Sequence, residues 1–314
     1  MITQGMKIPD GGINYAAIDI GSNAVRLLIK HVEEDANGMP HFSKVLLLRV
    51  PLRLGFDVFA MGKISEKKEK DMIRLMKSYR HLMKIYDVDS YRACATSAMR
   101  DAENGMHIIK RIRKKTDIPI EIIDGQEEAK MIYNNHIEQM EDRKGNYMYV
   151  DVGGGSTEIN LLSQGELVCS RSYNIGTVRI LNQAVKESEW DRLRADMAEL
   201  ALSYPQTNLI GSGGNINKLY RLAEKKDKKQ LRMTVTTLRQ LHESLKGLSV
   251  EERMAQFNLK PDRADVIVPA GEIFLTIADL MQATYIYVPV IGLSDGIIDS
   301  LYARDTRPIA LQEL

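Results

Sequence analysis

Short apolar runs bounded by turns alternate along this chain with stretches in which apolar residues return every three or four positions, and that alternation predicts an α/β architecture. Strands are read over Tyr15–Ile20, Arg26–Val32 and Lys44–Val50. They precede a helix from about Ser65 to Tyr86 whose apolar positions Met72, Ile73, Leu75, Met76, Tyr79, Leu82 and Met83 approximate helical spacing. Tyr91–Ala95 reads as a strand, Asn104–Lys115 as a helix, Ile120–Ile123 as a strand and Gln126–Gln139 as a helix. The second half repeats the theme, with strands around Met148, Ile159, Val168 and Leu209 and helices near Val178, Trp190, Lys218, Leu238 and Met254. A helix over Ala264–Met281, a strand over Tyr285–Val288 and a last helix from about Asp295 complete the pattern.

The two halves are related. Tyr15-Ala16-Ala17-Ile18-Asp19-Ile20-Gly21-Ser22-Asn23 aligns with Tyr147-Met148-Tyr149-Val150-Asp151-Val152-Gly153-Gly154-Gly155 at an offset of 132 residues, and each copy runs on into another apolar strand. One strand–turn–strand hairpin is an ordinary tight turn. Two in matching register predict paired domains whose turns face one cleft from opposite sides. That plan resembles the actin, sugar-kinase and Hsp70 (ASKHA) superfamily: two actin-like, ribonuclease H-like domains with mixed sheets of about five strands flanked by helices, and an active site in the interdomain cleft. The expected divisions are residues 1–125 and 126–299, with a helix from about 300 to 314 packing back on the first domain.

Composition sets limits. At 314 residues and 44% hydrophobic, the chain can bury two domain cores. No apolar run reaches the roughly eighteen residues of a membrane span, and Met1–Gly12 lacks the apolar core of a signal peptide, so the expectation is a cytoplasmic protein without a membrane partner. Cys94 and Cys169 are too few for a disulfide framework and read as small buried residues, and the histidines show no metal-ligand spacing. A formal net charge of +1 gives no global attraction for nucleic acid. Lys110, Arg111, Arg113, Lys114 and Lys115 form one local basic cluster, and Lys225, Lys226, Lys228, Lys229 and Arg232 another. Each is either a solvated face or a track for a long anion.

The sharpest chemistry lies in Asp151-Val152-Gly153-Gly154-Gly155-Ser156-Thr157-Glu158. Glycines let backbone N–H groups close on an anion, and Asp151 and Glu158 offer hard oxygens to a divalent cation such as Mg2+. Glu127 and Glu128 open a helix, where carboxylates complement the helix dipole. The turn Gly211-Ser212-Gly213-Gly214-Asn215 opens another helix, and Gly213 and Gly214 either receive a nucleoside or simply make a strand-to-helix turn.

Five ordered runs then resemble the motifs of the exopolyphosphatase/guanosine pentaphosphate phosphohydrolase (Ppx/GppA) family. They are Ala17–Asn23, Ala95-Thr96-Ser97-Ala98-Met99-Arg100, Gly125-Gln126-Glu127-Glu128-Ala129, Asp151–Glu158 and Leu293-Ser294-Asp295-Gly296. The resemblance implies magnesium-dependent hydrolysis of a terminal phosphate from inorganic polyphosphate or guanosine pentaphosphate, with guanosine tetraphosphate also a ligand. It makes Glu128 the general base. Asp151 and Glu158 become magnesium ligands, direct or through water, with Asp19 facing them from the other hairpin. It assigns the phosphate to Gly21, Ser22, Asn23 and Gly153, Gly154, Gly155, Ser156, Thr157, with Arg100 facing it and with Arg26 and Arg263 placed along a polyphosphate or nucleotide tail. Longer members carry a further C-terminal helical region, with an HD-type domain, associated with dimer contacts and long substrates. This sequence has no room for it, so short polyphosphates are the expected preference, and a homodimer is left open. The alternatives are a small-molecule kinase of the same superfamily, although no sugar-binding signature is found, and a non-catalytic regulator that binds guanosine tetraphosphate or pentaphosphate.

Overall fold

The computed structural model describes residues 11–35, 37–137, 145–289 and 292–306, and for 132–137 the backbone alone. The first half runs β1 (Ile13–Ile20), β2 (Val25–Glu34), β3 (Pro40–Val50), α1 (Leu54–Met61), α2 (Glu66–Ile85), β4 (Ser90–Ala95), α3 (Ser97–Asp101), α4 (Gly105–Thr116), β5 (Glu121–Ile122) and α5 (Gly125–Ile137). The second half runs β6 (Asn146–Val152), β7 (Thr157–Ser163), β8 (Glu166–Tyr173), α6 (Thr177–Leu181), α7 (Glu187–Ser203), β9 (Asn208–Ser212), α8 (Gly214–Leu222), β10 (Arg232–Thr234), α9 (Val235–Lys246), α10 (Val250–Phe257), α11 (Pro261–Ala264), α12 (Ile267–Leu280), β11 (Tyr285–Tyr287) and α13 (Leu293–Thr306).

Two mixed sheets carry the molecule. The first has the order β3-β2-β1-β4-β5, and the second β8-β7-β6-β9-β11 with β10 added on the outer edge. Each central strand is antiparallel to the strand that follows it and parallel to the next one inward. Because β1 is covered on both faces it reads as a nearly continuous apolar run, interrupted by Asp19 at its end.

Helix α2 buries Met72, Ile73, Met76, Tyr79 and Met83, a spacing that keeps one side on the sheet, and Ser65 caps its start by accepting a bond from the Lys68 N–H. The opposite face of the first sheet is closed from the far end of the chain: Leu293, Ile297, Ile298 and Leu301 of α13 are buried against Ile13, Tyr15, Ala17, Leu28 and Val32. The helix expected to return from about 300 therefore begins at Leu293, and residues 307–314 lie outside the described residues. So do positions 138–139 of the helix expected to reach Gln139. A separate core joins Met148, Val150, Ile159 and Leu161 to Ile216, Leu219, Phe274 and Ile277 in the second half.

The helix expected over Ala264–Met281 forms as α12, starting three residues later, and the short α11 with a turn at Asp265 and Val266 precedes it. That segment has a use: Asp262 ion-pairs with Arg49 and Asp265 with Arg53, both on the first half of the chain. Among the described residues no helix is long and apolar enough to cross a membrane.

Candidate active site

The ends of β1, β4, β6 and β9 meet at a cavity of about 360 Å³ between the two sheets. Its wall includes Asp19, Gly21, Ser22, Asn23 and Arg26 from the first hairpin, Asp151, Gly153, Gly154 and Ser156 from the second, and Glu128 from α5. Both hairpins close with the same four-residue turn: the Gly21 N–H donates to Ala24 O at 3.1 Å, and the Gly153 N–H to Ser156 O at 2.9 Å. The two turns touch. A Cβ on Gly154 would lie 2.9 Å from Ser22 Cβ, and one on Gly155 would lie 2.9 Å from Ser22 Oγ and 2.3 Å from Ser97 Oγ of α3, so a side chain at either position would displace this contact.

The triple glycine is oriented by α6. Gly153 O accepts from the Thr177 N–H (3.1 Å), Gly154 O from the N–H groups of Val178 (2.8 Å) and Arg179 (3.1 Å), and Gly155 O from Arg179 Nε (2.8 Å). In a trans peptide the C=O of one residue and the N–H of the next point in opposite directions. With three successive carbonyls turned to α6, the N–H groups of Gly154, Gly155 and Ser156 turn the other way, as an anion-binding nest requires.

Glu128 sits on the first turn of α5, 8% exposed, with Oε2 making no hydrogen bond. Its neighbour Glu127 faces elsewhere and pairs with Arg92 at 2.8 Å. The helix is pinned by Asn160 of β7, whose Nδ2 donates to Ala129 O at 2.8 Å. Burial, then the carboxylates of Glu158, Asp151 and Asp19, push Glu128 well above the ordinary carboxylate range. Burial also raises Asp151 to about 6, against the pull of Arg26. Glu158 is raised by burial, with Ser156 and Ser172 hydroxyls opposing; Ser172 Oγ donates to its Oε1 at 3.0 Å. These groups gather negative charge where water is scarce, which is costly unless a cation shares the site.

Positive groups form the other part of the wall. Arg26, Lys44, Arg49, Lys218, Arg221 and Arg263 all line the cavity. Burial and the guanidinium groups of Arg49 and Arg26 hold Arg263 down to about 9, and its side-chain bond goes to the neutral Asn215 Oδ1. Such a guanidinium gains from any anion that arrives.

A model of the Ppx/GppA phosphatase family matches residues 31–305. The chain belongs to the Ppx/GppA phosphatase family. A bifunctional 3-dehydroquinate synthase/phosphatase of Fusobacterium nucleatum is 29% identical over 87% of this chain and 44% of its own length. Guanosine-5'-triphosphate,3'-diphosphate pyrophosphatase of Aeromonas salmonicida is 25% identical over 93% of this chain and 60% of its own length. This Ppx/GppA chain thus spans about half the length of those two curated relatives. Exopolyphosphatase 2 of Mycobacterium tuberculosis is 29% identical over 80% of this chain and 86% of its own. Among solved structures, the Aquifex aeolicus Ppx/GppA family member superposes with a TM-score of 0.74 at 26% identity, over 94% of this chain and 99% of that one. The paired sheets are accordingly those of the actin-like superfamily, as the sequence repeat led us to expect.

Placed within this Ppx/GppA site, the expected residues divide. Glu128, Asp151, Gly21–Asn23, Gly153, Gly154, Ser156, Arg26, Gly213, Gly214 and Arg263 face the cavity. Gly155 is enclosed between the two turns. Thr157 is fully buried, its hydroxyl donating to Ile175 O at 2.6 Å, and Glu158 lies behind the wall. Asp19 is engaged by Arg26 at 2.5 Å, with Ser294 Oγ at 3.5 Å. Arg100 donates to Ile123 O at 3.1 Å and acts on Glu128 and Glu158 only through its charge, favouring their ionised forms.

Neither basic cluster expected from the sequence borders the cleft. Lys110–Lys115 end α4, where Arg111 pairs with Glu69 at 2.8 Å, and Lys225, Lys226 and Arg232 line a separate cavity with Tyr285. The cleft's own cations Lys44, Arg49, Lys218 and Arg221 escaped the sequence reading. Lys218 and Arg221 stand three apart on α8 just after the Gly213-Gly214 turn, the one signal by which they are recognisable.

Proposed function

We propose that this chain hydrolyses the terminal phosphoanhydride of inorganic polyphosphate or guanosine pentaphosphate, with Mg2+ in the cleft. What supports it most is Glu128, a buried carboxylate with an unbonded oxygen, held beside a glycine nest and facing a wall of guanidinium groups. Glu128 Oε2 takes the proton from an attacking water. Its raised affinity for protons suits that task, because a base works best when its pKa approaches the working pH. The N–H groups of Gly154, Gly155 and Ser156 hold the equatorial oxygens of the phosphate, and Arg26 and Arg263 hold the phosphates behind it. Names of the relatives point the same way, one a pyrophosphatase acting on a guanosine derivative and another an exopolyphosphatase.

The donor set suits Mg2+. Asp151 and Glu158 stand directly opposite each other across β6 and β7, both are oxygen donors, and both are buried against their own charge. Among the described residues no group of three or more metal-binding side chains forms a ready-made shell. Mg2+ commonly takes one or two carboxylates and fills the rest of its shell from substrate and water. Asp151 would hold the ion and Glu158 would anchor it from behind the wall, while Asp19, already engaged by Arg26, would act at most through a water. When bound, the ion supplies positive charge to the phosphate oxygens and leaving group.

A phosphate-release assay on short polyphosphate, long polyphosphate and guanosine pentaphosphate, each with and without Mg2+, tests this reading. Release from at least one of them, dependent on Mg2+ and needing no acceptor, is expected. No release from any would leave the chain a binding protein.

A further inference from the structure

We infer that Arg179 is a positioning residue of the phosphate nest, shaping the glycine loop of the second half and locking it to the first; this rests on the hydrolase reading above. Two of the three carbonyls that orient the nest are held by backbone N–H groups of α6, which any sequence would supply. The third, Gly155 O, is held by a side chain, Arg179 Nε, at 2.8 Å. The same guanidinium donates through Nη2 to Asp101 Oδ2 at 2.6 Å and lies over the Phe59 ring, its carbon 4.1 Å from the centroid. Asp101 and Phe59 belong to α3 and α1 of the first half.

One planar group therefore joins the loop, a carboxylate across the cleft and an aromatic face, a combination a flexible ammonium cannot reproduce. The side chain is 12% exposed, which favours its bonds over water. Its effect on phosphate passes through one peptide plane. While Gly155 O points at Arg179, the Ser156 N–H points away from it, into the nest; release of that carbonyl frees the plane to rotate. Arg179 itself touches no phosphate position and stands outside the cavity wall.

The test compares Arg179→Ala, Arg179→Lys and Asp101→Asn with the wild type, using inorganic phosphate as the probe in calorimetry with Mg2+ present, and turnover of short polyphosphate as a second readout. Arg179→Ala is expected to weaken phosphate binding by about tenfold and to lower kcat, the scale of losing one charge-assisted bond that orders a site. Asp101→Asn, which leaves the Gly155 bond in place, is expected to change phosphate binding by no more than about threefold. Arg179→Lys should fall between wild type and Arg179→Ala, and it decides the matter where Arg179→Ala fails to fold. Millimolar guanidinium should restore phosphate affinity to Arg179→Ala, an effect that a general loss of stability does not produce.

Undiminished phosphate binding by a folded Arg179→Ala or Arg179→Lys overturns the inference, and so does a wild type that binds no phosphate. So also does an Asp101→Asn loss equal to that of Arg179→Ala, because the interdomain charge pair would then account for everything. A wild type that binds phosphate but hydrolyses none of the substrates overturns the hydrolase reading alone, since the binding comparison stands without turnover.

Discussion

The two hairpins share one register and differ in the residue that faces their aspartate. In β1–β2 the residue opposite Asp19 is Arg26, and the two make an ion pair at 2.5 Å; in β6–β7 the residue opposite Asp151 is Glu158. The register is the same and both turns have four residues, so Arg26 and Glu158 occupy matching places. One hairpin cancels its aspartate within the protein. The other places a second carboxylate beside it, with Glu128 close by, and burial together with neighbouring carboxylates raises all three. On the proposed function the paired scaffold divides the work: the first copy would offer a guanidinium to phosphate, and the second would collect oxygens for a cation.

The strongest way to break this comparison is to make the second hairpin like the first. Glu158→Arg should pair with Asp151 internally, and turnover should fall by about a hundredfold or more as the cation site is lost. The milder Glu158→Gln should weaken the apparent Mg2+ affinity by about 10- to 100-fold, as loss of an anchor behind a metal ligand does. A magnesium titration of polyphosphate hydrolysis reads both, and curves matching the wild type would remove Glu158 from the site.

Breaking the first pair has a smaller effect and a different sign of repair. Arg26→Met leaves Asp19 buried and unpaired, and unfolding in urea should show a loss of about 2 kcal/mol, reduced from the fully buried case because Arg26 is 31% exposed. Adding Asp19→Asn should recover most of that stability without recovering activity. If the double variant were no more stable than Arg26→Met, the Asp19–Arg26 bond would not be what steadies the hairpin.

The smallest effect is a matter of pH. Asp151 is raised from 3.8 to about 6, and Glu158 and Glu128 are raised too, so the folded chain binds these protons before the unfolded chain does. Their destabilising contribution is complete above the folded pKa and is relieved as pH falls through it toward the unfolded value. In EDTA the melting temperature should therefore rise between about pH 8 and pH 6, by a few degrees, and the rise should shrink in Glu158→Gln. An unchanged slope in that variant would mean that other groups carry the dependence.

Much of this was legible in the sequence because the repeat is written in apolar runs and turn residues, which encode local structure directly. Asp19, Asp151 and the glycines sit at strand ends, so their places follow from the hairpins alone. Glu128 was reached only through its motif, since beside Glu127 it looks like dipole complement; packing separates the two, sending Glu127 to Arg92 and Glu128 to the cleft. The cleft's cations were hidden for another reason. Lys44 and Arg49 come from the strand β3 and Lys218 and Arg221 from α8, and only tertiary folding brings them together. The dense cluster at Lys110–Lys115 drew the eye instead, yet it marks the solvated end of α4. The pairs of Asp262 with Arg49 and of Asp265 with Arg53 were invisible because they join residues far apart in the sequence.

The most direct measurement is turnover of a short polyphosphate by wild type and Glu128→Gln at saturating Mg2+, with substrate binding measured alongside. The account expects the variant to fold and bind substrate while kcat falls by about a hundredfold or more, the usual scale for removing a general base. Wild-type turnover in a folded Glu128→Gln would contradict it, because Glu128 Oε2, buried and without a hydrogen bond, would then have no part in activating water.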